Sequence, residues 1–251
     1  MINLIIVALF FIFVSLTSIP MFLLACLVRV ITHPFDRRLV ILHQLTCFWA
    51  SLYSWLMPSW RLTITGRDKI KRDTAYVIVC NHQSLLDILL IFRLFFHFKV
   101  VSKSEIFKVP LIGWNMYLNR YIKLIRGDKA SIGKMMKDCE DRLDEGSSVF
   151  IFPEGTRSLD GVMRPFKLGA FKLAGEKKAP ILPVVICGTE KALPKNSIDY
   201  HGTHRIIIQI CDEIPYSSFE NLTAEETAIK VREFMMGQLE ELKKGEPRRA
   251  M

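Results

Sequence analysis

The sequence has no closely spaced cysteines or histidines of the kind that bind metals or form redox pairs. Its six cysteines include no C-x-x-C pair, and most of them lie in apolar runs. This is typical of reduced, buried cysteines in a protein that faces the cytosol. The six histidines show no zinc-binding spacing. We therefore expect no disulfide framework, no metal site and no bound cofactor.

Two further signals are missing, and their absence narrows the possible functions. There is no G-x-S-x-G elbow, so nothing indicates a serine nucleophile of the α/β-hydrolase type. The chain has 34 Lys and Arg against 25 Asp and Glu, a net charge of +9, but the basic residues are scattered and form no nucleic-acid recognition motif. A basic excess without such a motif suits an anionic membrane surface or a phosphorylated substrate.

A long apolar segment at the start of the chain predicts membrane association. As one helix, Leu4–Val28 would be about 37 Å long, enough to cross the hydrocarbon core, with a kink at Pro20. The first three residues lack the basic start of a cleaved signal peptide, so we expect a retained anchor. Arg29, Arg37 and Arg38 follow the segment and predict that the rest of the chain faces the cytoplasm.

A second apolar segment, Leu39–Met57, allows two interpretations. It is either a core helix or an interfacial helix whose Trp and Tyr side chains lie at the level of the lipid headgroups. The pattern of the chain changes after it. We therefore divide the 251 residues into a membrane-associated part, residues 1–57, and an α/β domain, residues 58–251.

Short apolar runs alternate with helical patterns through the second part. Strands are predicted at Trp60–Thr65, Ala75–Cys80, Phe98–Val101, Ser148–Phe152, Ile181–Cys187 and Arg205–Cys211. Helices are predicted at Ser84–Phe96, Ser131–Glu145, Phe166–Ala174 and Ala224–Leu242. This alternation predicts an α/β fold, with helices flanking a largely parallel or mixed sheet.

A histidine and an aspartate five positions apart follow the second predicted strand. His82 backed by Asp87 would be a general base, because the carboxylate fixes the imidazole tautomer and stabilises the imidazolium. The alternative is a capping box, with Ser84 as N-cap and Asp87 three residues later. Residues five apart on a helix point about 140° away from each other, so a dyad requires His82 to lie outside the regular helix.

A second motif, Phe152-Pro153-Glu154-Gly155-Thr156-Arg157-Ser158, follows another apolar strand. Together the two motifs resemble the glycerolipid acyltransferases typified by 1-acyl-sn-glycerol-3-phosphate acyltransferase. Asn81, His82, Ser84 and Asp87 match the first of that family's four sequence blocks, and residues 152–158 match the third in full. Residues 181–184 match the fourth block. Residues 120–126 match the second block only in Arg126 and two apolar positions. The resemblance covers roughly residues 60 to 211.

The resemblance implies a role for each residue of the motifs. His82 would be the base and Asp87 would orient it. Arg157, Arg126 and Lys103 would bind a phosphate, for which Lys167 is a weaker candidate. Gly155 would allow a tight turn, and Thr156 would belong to the same substrate-binding loop. Glu154 would hold the glycerol part of the substrate or order that loop.

The resemblance also implies an activity at the membrane. The enzyme would move an acyl group from a thioester, acyl-CoA or acyl carrier protein, to the sn-2 hydroxyl of 1-acyl-glycerol-3-phosphate, giving phosphatidic acid. Its partners would be membrane lipid, a lysophospholipid acceptor and the acyl donor, at the inner membrane if the source is bacterial. An N-terminal helix pair would enter one leaflet. The acceptor stays open, because another lysolipid, such as a lyso-ornithine lipid, or glycerol-3-phosphate is an alternative. A non-catalytic lipid-binding protein is a further one.

Overall fold

A seven-stranded mixed sheet forms the centre of the protein in a computed structural model, which describes residues 2–57, 59–158, 161–193 and 203–244, with side chains from residue 12 onward. The strands are β1 (Trp60–Thr65), β2 (Val77–Cys80), β3 (Phe98–Lys103), β4 (Ile122–Leu124), β5 (Ser148–Ile151), β6 (Ile181–Cys187) and β7 (His204–Ile210). The helices are α1 (Ile2–Thr32), α2 (Val40–Trp55), α3 (Leu86–Leu90), α4 (Ile112–Leu118), α5 (Lys129–Asp144), α6 (Gly169–Glu176), α7 (Thr189–Ala192) and α8 (Ala224–Lys244).

The order of the strands brings four of their carboxyl ends together. The sheet runs β1-β7-β6-β2-β5-β3-β4. The five strands from β6 to β4 are parallel, β7 is antiparallel to β6, and β1 is parallel to β7. The carboxyl ends of β2, β5, β3 and β4 therefore follow one another along one edge of the sheet, where ligands bind in open α/β sheets. The predicted α/β fold with a mixed sheet is confirmed.

Both faces of the central strands are buried, which explains why these strands read as continuous apolar runs. In β2, Ile78 and Cys80 belong to a core shared with α2 and α3, while Val77 and Val79 belong to a core shared with α5, α6 and α8. All four are 0% exposed. Strands covered by helices on both faces lack the alternation of a half-exposed strand, because neither face meets water.

The prediction of one helix from Ser84 to Phe96 is wrong in its extent. α3 is only five residues long, and a 3-10 turn at Ile91–Leu94 follows it. Phe95 has a left-handed backbone, with φ of 51°, and this ends the helical segment. The bounds predicted for β1 and β6 are confirmed without change. β4 and α4 were not predicted, because three and seven residues are too short for a clear periodic pattern.

Two helices occupy the apolar N-terminal segment, and they differ in their environment. In the described part of the chain, only α1 contains a stretch long and apolar enough to cross a membrane, at Ile12–Thr32, of which 11% is buried. α2 packs on the sheet domain and places Cys47 and Ala50 in its core. A membrane-embedded pair is therefore not shown, and embedding of α2 stays a prediction. The predicted boundary at Pro58 lies outside the described residues, as does the end of the second part after residue 244.

Candidate active site

The predicted histidine–aspartate pair is present at the carboxyl end of β2. His82 lies in the loop before α3, so the expectation that it lies outside the helix is confirmed. Its Nδ1 is 2.9 Å from Oδ2 of Asp87. Because a carboxylate can only accept a hydrogen bond, Nδ1 of His82 carries the proton. In the neutral ring this leaves Nε2 unprotonated and able to act as a base. Asp87 is fully buried and His82 is 5% exposed, so bulk water does not compete for their hydrogen bond.

Both carboxylate oxygens of Asp87 accept further hydrogen bonds. Its Oδ2 also accepts the backbone N–H groups of Gln83, at 2.6 Å, and Ser84, at 2.8 Å. Its Oδ1 accepts the hydroxyl of Thr189, the first residue of α7, at 2.5 Å. The bond to the N–H of Ser84 is one half of the predicted capping box, although α3 begins only at Leu86. Asp87 thus orders the loop and orients His82 at once.

Neighbouring side chains hold the position of His82. Asn81 donates to the carbonyl of Ile186 and accepts its N–H, both at 2.8 Å, which ties the end of β2 to β6. The ring of Phe152 stacks on the imidazole of His82 at a centroid distance of 4.4 Å. These contacts restrict the rotation of the ring without using its Nε2.

Glu154 links the loop of the second motif to the backbone of His82 in the first. One oxygen accepts the backbone N–H of His82 at 2.7 Å, and the other accepts that of Arg164 at 2.8 Å. Burial raises the pKa of Glu154, and these two hydrogen bonds oppose the rise. Of the two roles expected for Glu154, this geometry favours ordering of the loop. Its carboxylate bonds these N–H groups rather than Arg157.

His82 and the predicted cationic residues line one cavity of about 410 Å³. Its polar lining comprises His82, Ser102, Lys103, Glu105, Arg126, Thr156, Arg157 and Lys167, with Gly155 beside them. Each motif contributes because its strand ends at this edge, and Lys103 pairs with Leu124, two residues before Arg126. All the predicted site residues except Asp87 and Glu154, which are buried behind the wall, therefore line one cavity.

The cations of the cavity differ in what they already contact. The ammonium of Lys103 is 2.7 Å from Oε1 of Glu105, and this bond lowers the pKa of Glu105 to about 2. The side chain of Lys167 lies against Gly155, where a Cβ would come within 2.7 Å of its Cε. Gly155 has φ of 67°, a left-handed conformation that favours glycine in this turn.

A second, apolar cavity of about 410 Å³ adjoins the first. The two share Leu85, Ile88, Val100 and Ile106 in their walls. Helices α1, α2 and α4 close the far side of the apolar cavity, with Ala50 of α2 among the lining residues. This cavity could not be predicted from the sequence, because its walls come from segments far apart in the chain.

No metal centre is evident in the described ranges: within them, no three His, Cys, Asp or Glu side chains come close enough to hold an ion. Metal independence stays a prediction.

Thr189 belongs to the site but was not predicted from the sequence. The available signal was its position two residues after the end of β6, where a polar side chain follows a buried parallel strand. Thr189→Val keeps the shape of the side chain but removes the hydroxyl bonded to Asp87. Because a hydrogen bond to a charged group contributes about 1.5–3 kcal/mol, we expect the activity that depends on His82 to fall about tenfold or more.

Steady-state kinetics of Thr189→Val and Thr189→Ser measure this effect, because serine retains the hydroxyl. Thr189→Ser should stay close to the unaltered protein. Full activity of Thr189→Val would mean that the hydroxyl does not support the dyad.

Comparison with known proteins places these residues in a family. Residues 61–187 match the acyltransferase family. The chain is 38% identical to a chloroplastic 1-acyl-sn-glycerol-3-phosphate acyltransferase of Brassica napus over 211 residues, which covers 81% of this chain and 60% of that protein. It is 35% identical to the 1-acyl-sn-glycerol-3-phosphate acyltransferase of Saccharomyces cerevisiae, covering 74% of this chain and 62% of the yeast protein. The matched regions thus span about three fifths of these relatives' length.

A solved structure shares the fold. The crystal structure of the 1-acyl-sn-glycerophosphate acyltransferase PlsC from Thermotoga maritima superposes with a TM-score of 0.72. The match covers 94% of this chain and all of that chain, at 22% sequence identity. The sheet, its flanking helices and the N-terminal helical segment thus form an architecture that occurs in a known protein.

Proposed function

Because the chain belongs to the acyltransferase family, we propose that it transfers a fatty acyl group from a thioester to the sn-2 hydroxyl of 1-acyl-glycerol-3-phosphate, forming phosphatidic acid. One observation carries the proposal: a buried His82–Asp87 pair opens into the same cavity as Lys103, Arg126 and Arg157. A general base beside a cluster of cations suits an acceptor that has both a hydroxyl and a phosphate.

The reaction needs no nucleophile from the protein. The hydroxyl of the acceptor gives its proton to Nε2 of His82 as its oxygen forms a bond to the thioester carbonyl carbon. Asp87 stabilises the resulting imidazolium through Nδ1. The tetrahedral intermediate then breaks its carbon–sulfur bond, and His82 returns the proton to the leaving thiolate. The products are the new ester and the free thiol, and the dyad ends in its starting state.

The phosphate of the acceptor would bind between the motifs. Arg157 and Arg126 present guanidinium groups that match phosphate oxygens, and Lys103 and Lys167 add point charges. Lys103 already pairs with Glu105, so a bound phosphate would compete with that carboxylate. Arg157 follows Glu154 by three residues, and Glu154 is hydrogen-bonded to the backbone of His82. This bond holds Arg157 near His82, so we favour Arg157 as the principal phosphate ligand.

The apolar cavity suits the transferred acyl chain. It meets the polar cavity at Leu85 and Ile88, so a thioester carbonyl near His82 would have its chain directed into apolar surroundings. Each buried methylene contributes about 0.8 kcal/mol to binding, so the length of the cavity would set the preferred length of the chain.

Ala50→Leu narrows this cavity from the α2 side. We expect long-chain thioesters to lose kcat/KM relative to short-chain thioesters by about tenfold, the equivalent of roughly two methylenes that no longer fit. Competition assays with mixed chain lengths measure the ratio. The matched control is Ala228→Leu, a buried alanine of α8 in the core on the other face of the sheet. An equal change of the ratio in both variants would contradict this use of the cavity.

The membrane and its sidedness are part of the proposal. Helix α1 indicates membrane association, and Arg29, Arg37 and Arg38 at its end favour a catalytic domain on the cytoplasmic side, of the inner membrane if the source is bacterial. The thioester donor, acyl-CoA or acyl carrier protein, would be met on that side. Protease added outside intact cells should spare the domain after residue 58, and its cleavage would contradict the orientation.

An acyl-transfer assay tests the function directly. Purified full-length protein is supplied with acyl-CoA or acyl carrier protein thioester and a panel of lysolipids, with and without a chelator. We expect phosphatidic acid from lysophosphatidate and no loss of activity on chelation. Transfer only to another lysolipid or to glycerol-3-phosphate would reassign the acceptor. No transfer to any acceptor would favour a lipid-binding protein.

A further inference from the structure

A ten-residue segment between the two motifs carries no charge, although basic residues flank it. Residues 109–118 include α4 and lie between Lys108 and Arg120. Four of its large side chains are exposed: Val109 by 39%, Ile112 by 38%, Trp114 by 51% and Tyr117 by 56%. We call these four side chains the α4 surface. A surface of this composition, with Trp and Tyr beside aliphatic groups, is typical of the membrane–water interface.

The side of α4 that faces the protein is fixed by hydrogen bonds to α2, so the exposure of its other side is a stable feature of the fold. Asn115 is buried and donates to Oγ1 of Thr46 in α2 at 3.1 Å. Asn119, the next residue after α4, also donates to Thr46, at 3.0 Å. The side-chain nitrogens of Asn115 and Asn119 are therefore bonded inside the fold, while the four apolar side chains of the α4 surface are exposed, which is unusual on a water-exposed surface.

The α4 surface is continuous with the apolar side of α1. The ring of Trp114 lies 5.6 Å from the ring of Phe22 of α1, and Leu118 packs on a cluster that contains Ala25 of α1. Around these contacts α1 exposes further apolar side chains, including Leu23, 63% exposed, and Leu27, 54% exposed. A bilayer that covers α1 from one end to the other would therefore reach α4 as well.

We propose that the α4 surface inserts into the phospholipid bilayer beside α1, as a membrane contact of the catalytic domain itself. The occupant is lipid, because the surface adjoins α1, is uncharged, and is flanked by Lys108 and Arg120, which can contact lipid phosphates. Ile112 and Met116 of the same segment line the apolar cavity. If the proposed function holds, the α4 surface therefore brings the apolar cavity next to the bilayer, which holds the lipid substrate.

Fluorescence of Trp114 in liposomes tests the contact without any assay of activity. Full-length protein and its Trp114→Phe variant are reconstituted in phosphatidylcholine and phosphatidylglycerol vesicles. The difference between their emission spectra isolates Trp114 from the other tryptophans. We expect this difference signal to be quenched by brominated phospholipids and protected from aqueous iodide. A difference signal that iodide quenches and brominated lipid does not would overturn the proposal.

A matched control places a tryptophan on the opposite side of the molecule. Phe234 of α8 is 40% exposed, and α8 covers the other face of the sheet. In a Trp114→Phe, Phe234→Trp protein, the new signal should be quenched by iodide and not by brominated lipid. Quenching of this signal by lipid to the same degree as that of Trp114 would show that the vesicles cover the whole domain, and the specific role of α4 would be lost.

A kinetic arm connects the contact with the proposed function. In a Trp114→Ser, Tyr117→Ser protein, we expect KM for an acceptor in vesicles to rise about tenfold, with kcat on a water-soluble short-chain acceptor unchanged. Equal effects on both acceptors would contradict the role in access, because they would mean a damaged site. If the unaltered protein is inactive on every acceptor, both the proposed function and the proposed role of α4 in substrate access are refuted. The fluorescence measurement still shows whether α4 contacts the bilayer.

Discussion

Replacement of His82 by alanine is expected to lower turnover by at least ~10²-fold, the lower range for loss of a general base. The alcohol of the acceptor is a poor nucleophile at neutral pH, and the buried His82–Asp87 pair, joined at 2.9 Å, is the arrangement in the cavity that can take its proton. Asp87→Asn should have a comparable effect. An amide in place of the carboxylate disturbs the tautomer that leaves Nε2 basic.

Turnover of each variant is measured in vesicles together with circular dichroism and membrane recovery, so that misfolded protein is recognised. His33→Ala is the matched control, because His33 is exposed and lies in the turn after α1, outside the catalytic cavity. It should retain full activity. Near-normal turnover of either dyad variant in folded protein would make the dyad assignment wrong and would leave Asp87 with its loop-ordering role alone.

Arg157→Ala is expected to lower kcat/KM for lysophosphatidate by about ten- to a hundredfold or more, since a charge-assisted hydrogen bond contributes roughly 1.5–3 kcal/mol. The loss should be much smaller for a lysolipid without a phosphate monoester, because that acceptor has no dianion to bind. Arg157→Lys should recover part of the loss, as an ammonium keeps the charge but not the bidentate geometry.

Kinetics of all variants on both acceptors separate binding from loop structure. Arg61→Ala is the control for a change in net charge, because Arg61 is exposed on β1, the edge strand at the end of the sheet opposite β4. It should leave both acceptors unaffected. If Arg157→Ala reduces kcat/KM equally for both acceptors, Arg157 holds the loop rather than the phosphate. If the unaltered protein ignores lysophosphatidate, the acceptor assignment moves to another lysolipid.

Much of the candidate site was predictable because its signals are local. A buried apolar run followed by His82, and another followed by Glu154 and Arg157, mark two strand ends without reference to the rest of the chain. The placement of His82 outside the helix followed from the expected dyad together with helical geometry. The predicted helix after it was too long, because the left-handed backbone of Phe95 is not visible in the periodicity of the side chains.

Other parts of the site were out of reach of the sequence because they depend on contacts between distant segments. Thr189 bonds a carboxylate 102 positions earlier in the chain. The apolar cavity combines walls from α1, α2, α3 and α4, and each of those segments reads on its own as an ordinary apolar stretch. The role of Glu154 was left open between two possibilities, and only its hydrogen bonds to His82 and Arg164 favour one of them.

The sequence by itself determined the α/β class, the long apolar N-terminal helix, the acyltransferase motifs and the pairing of His82 with Asp87. These properties follow from apolar periodicity and from short motifs, both of which act over a few neighbouring residues. The tertiary structure decided which strands are neighbours. Because β5 lies between β2 and β3, and β4 lies beyond β3, His82, Arg157, Lys103 and Arg126 converge on one cavity. Strand order is set by packing and non-local hydrogen bonds across the whole sheet, and no local pattern encodes it.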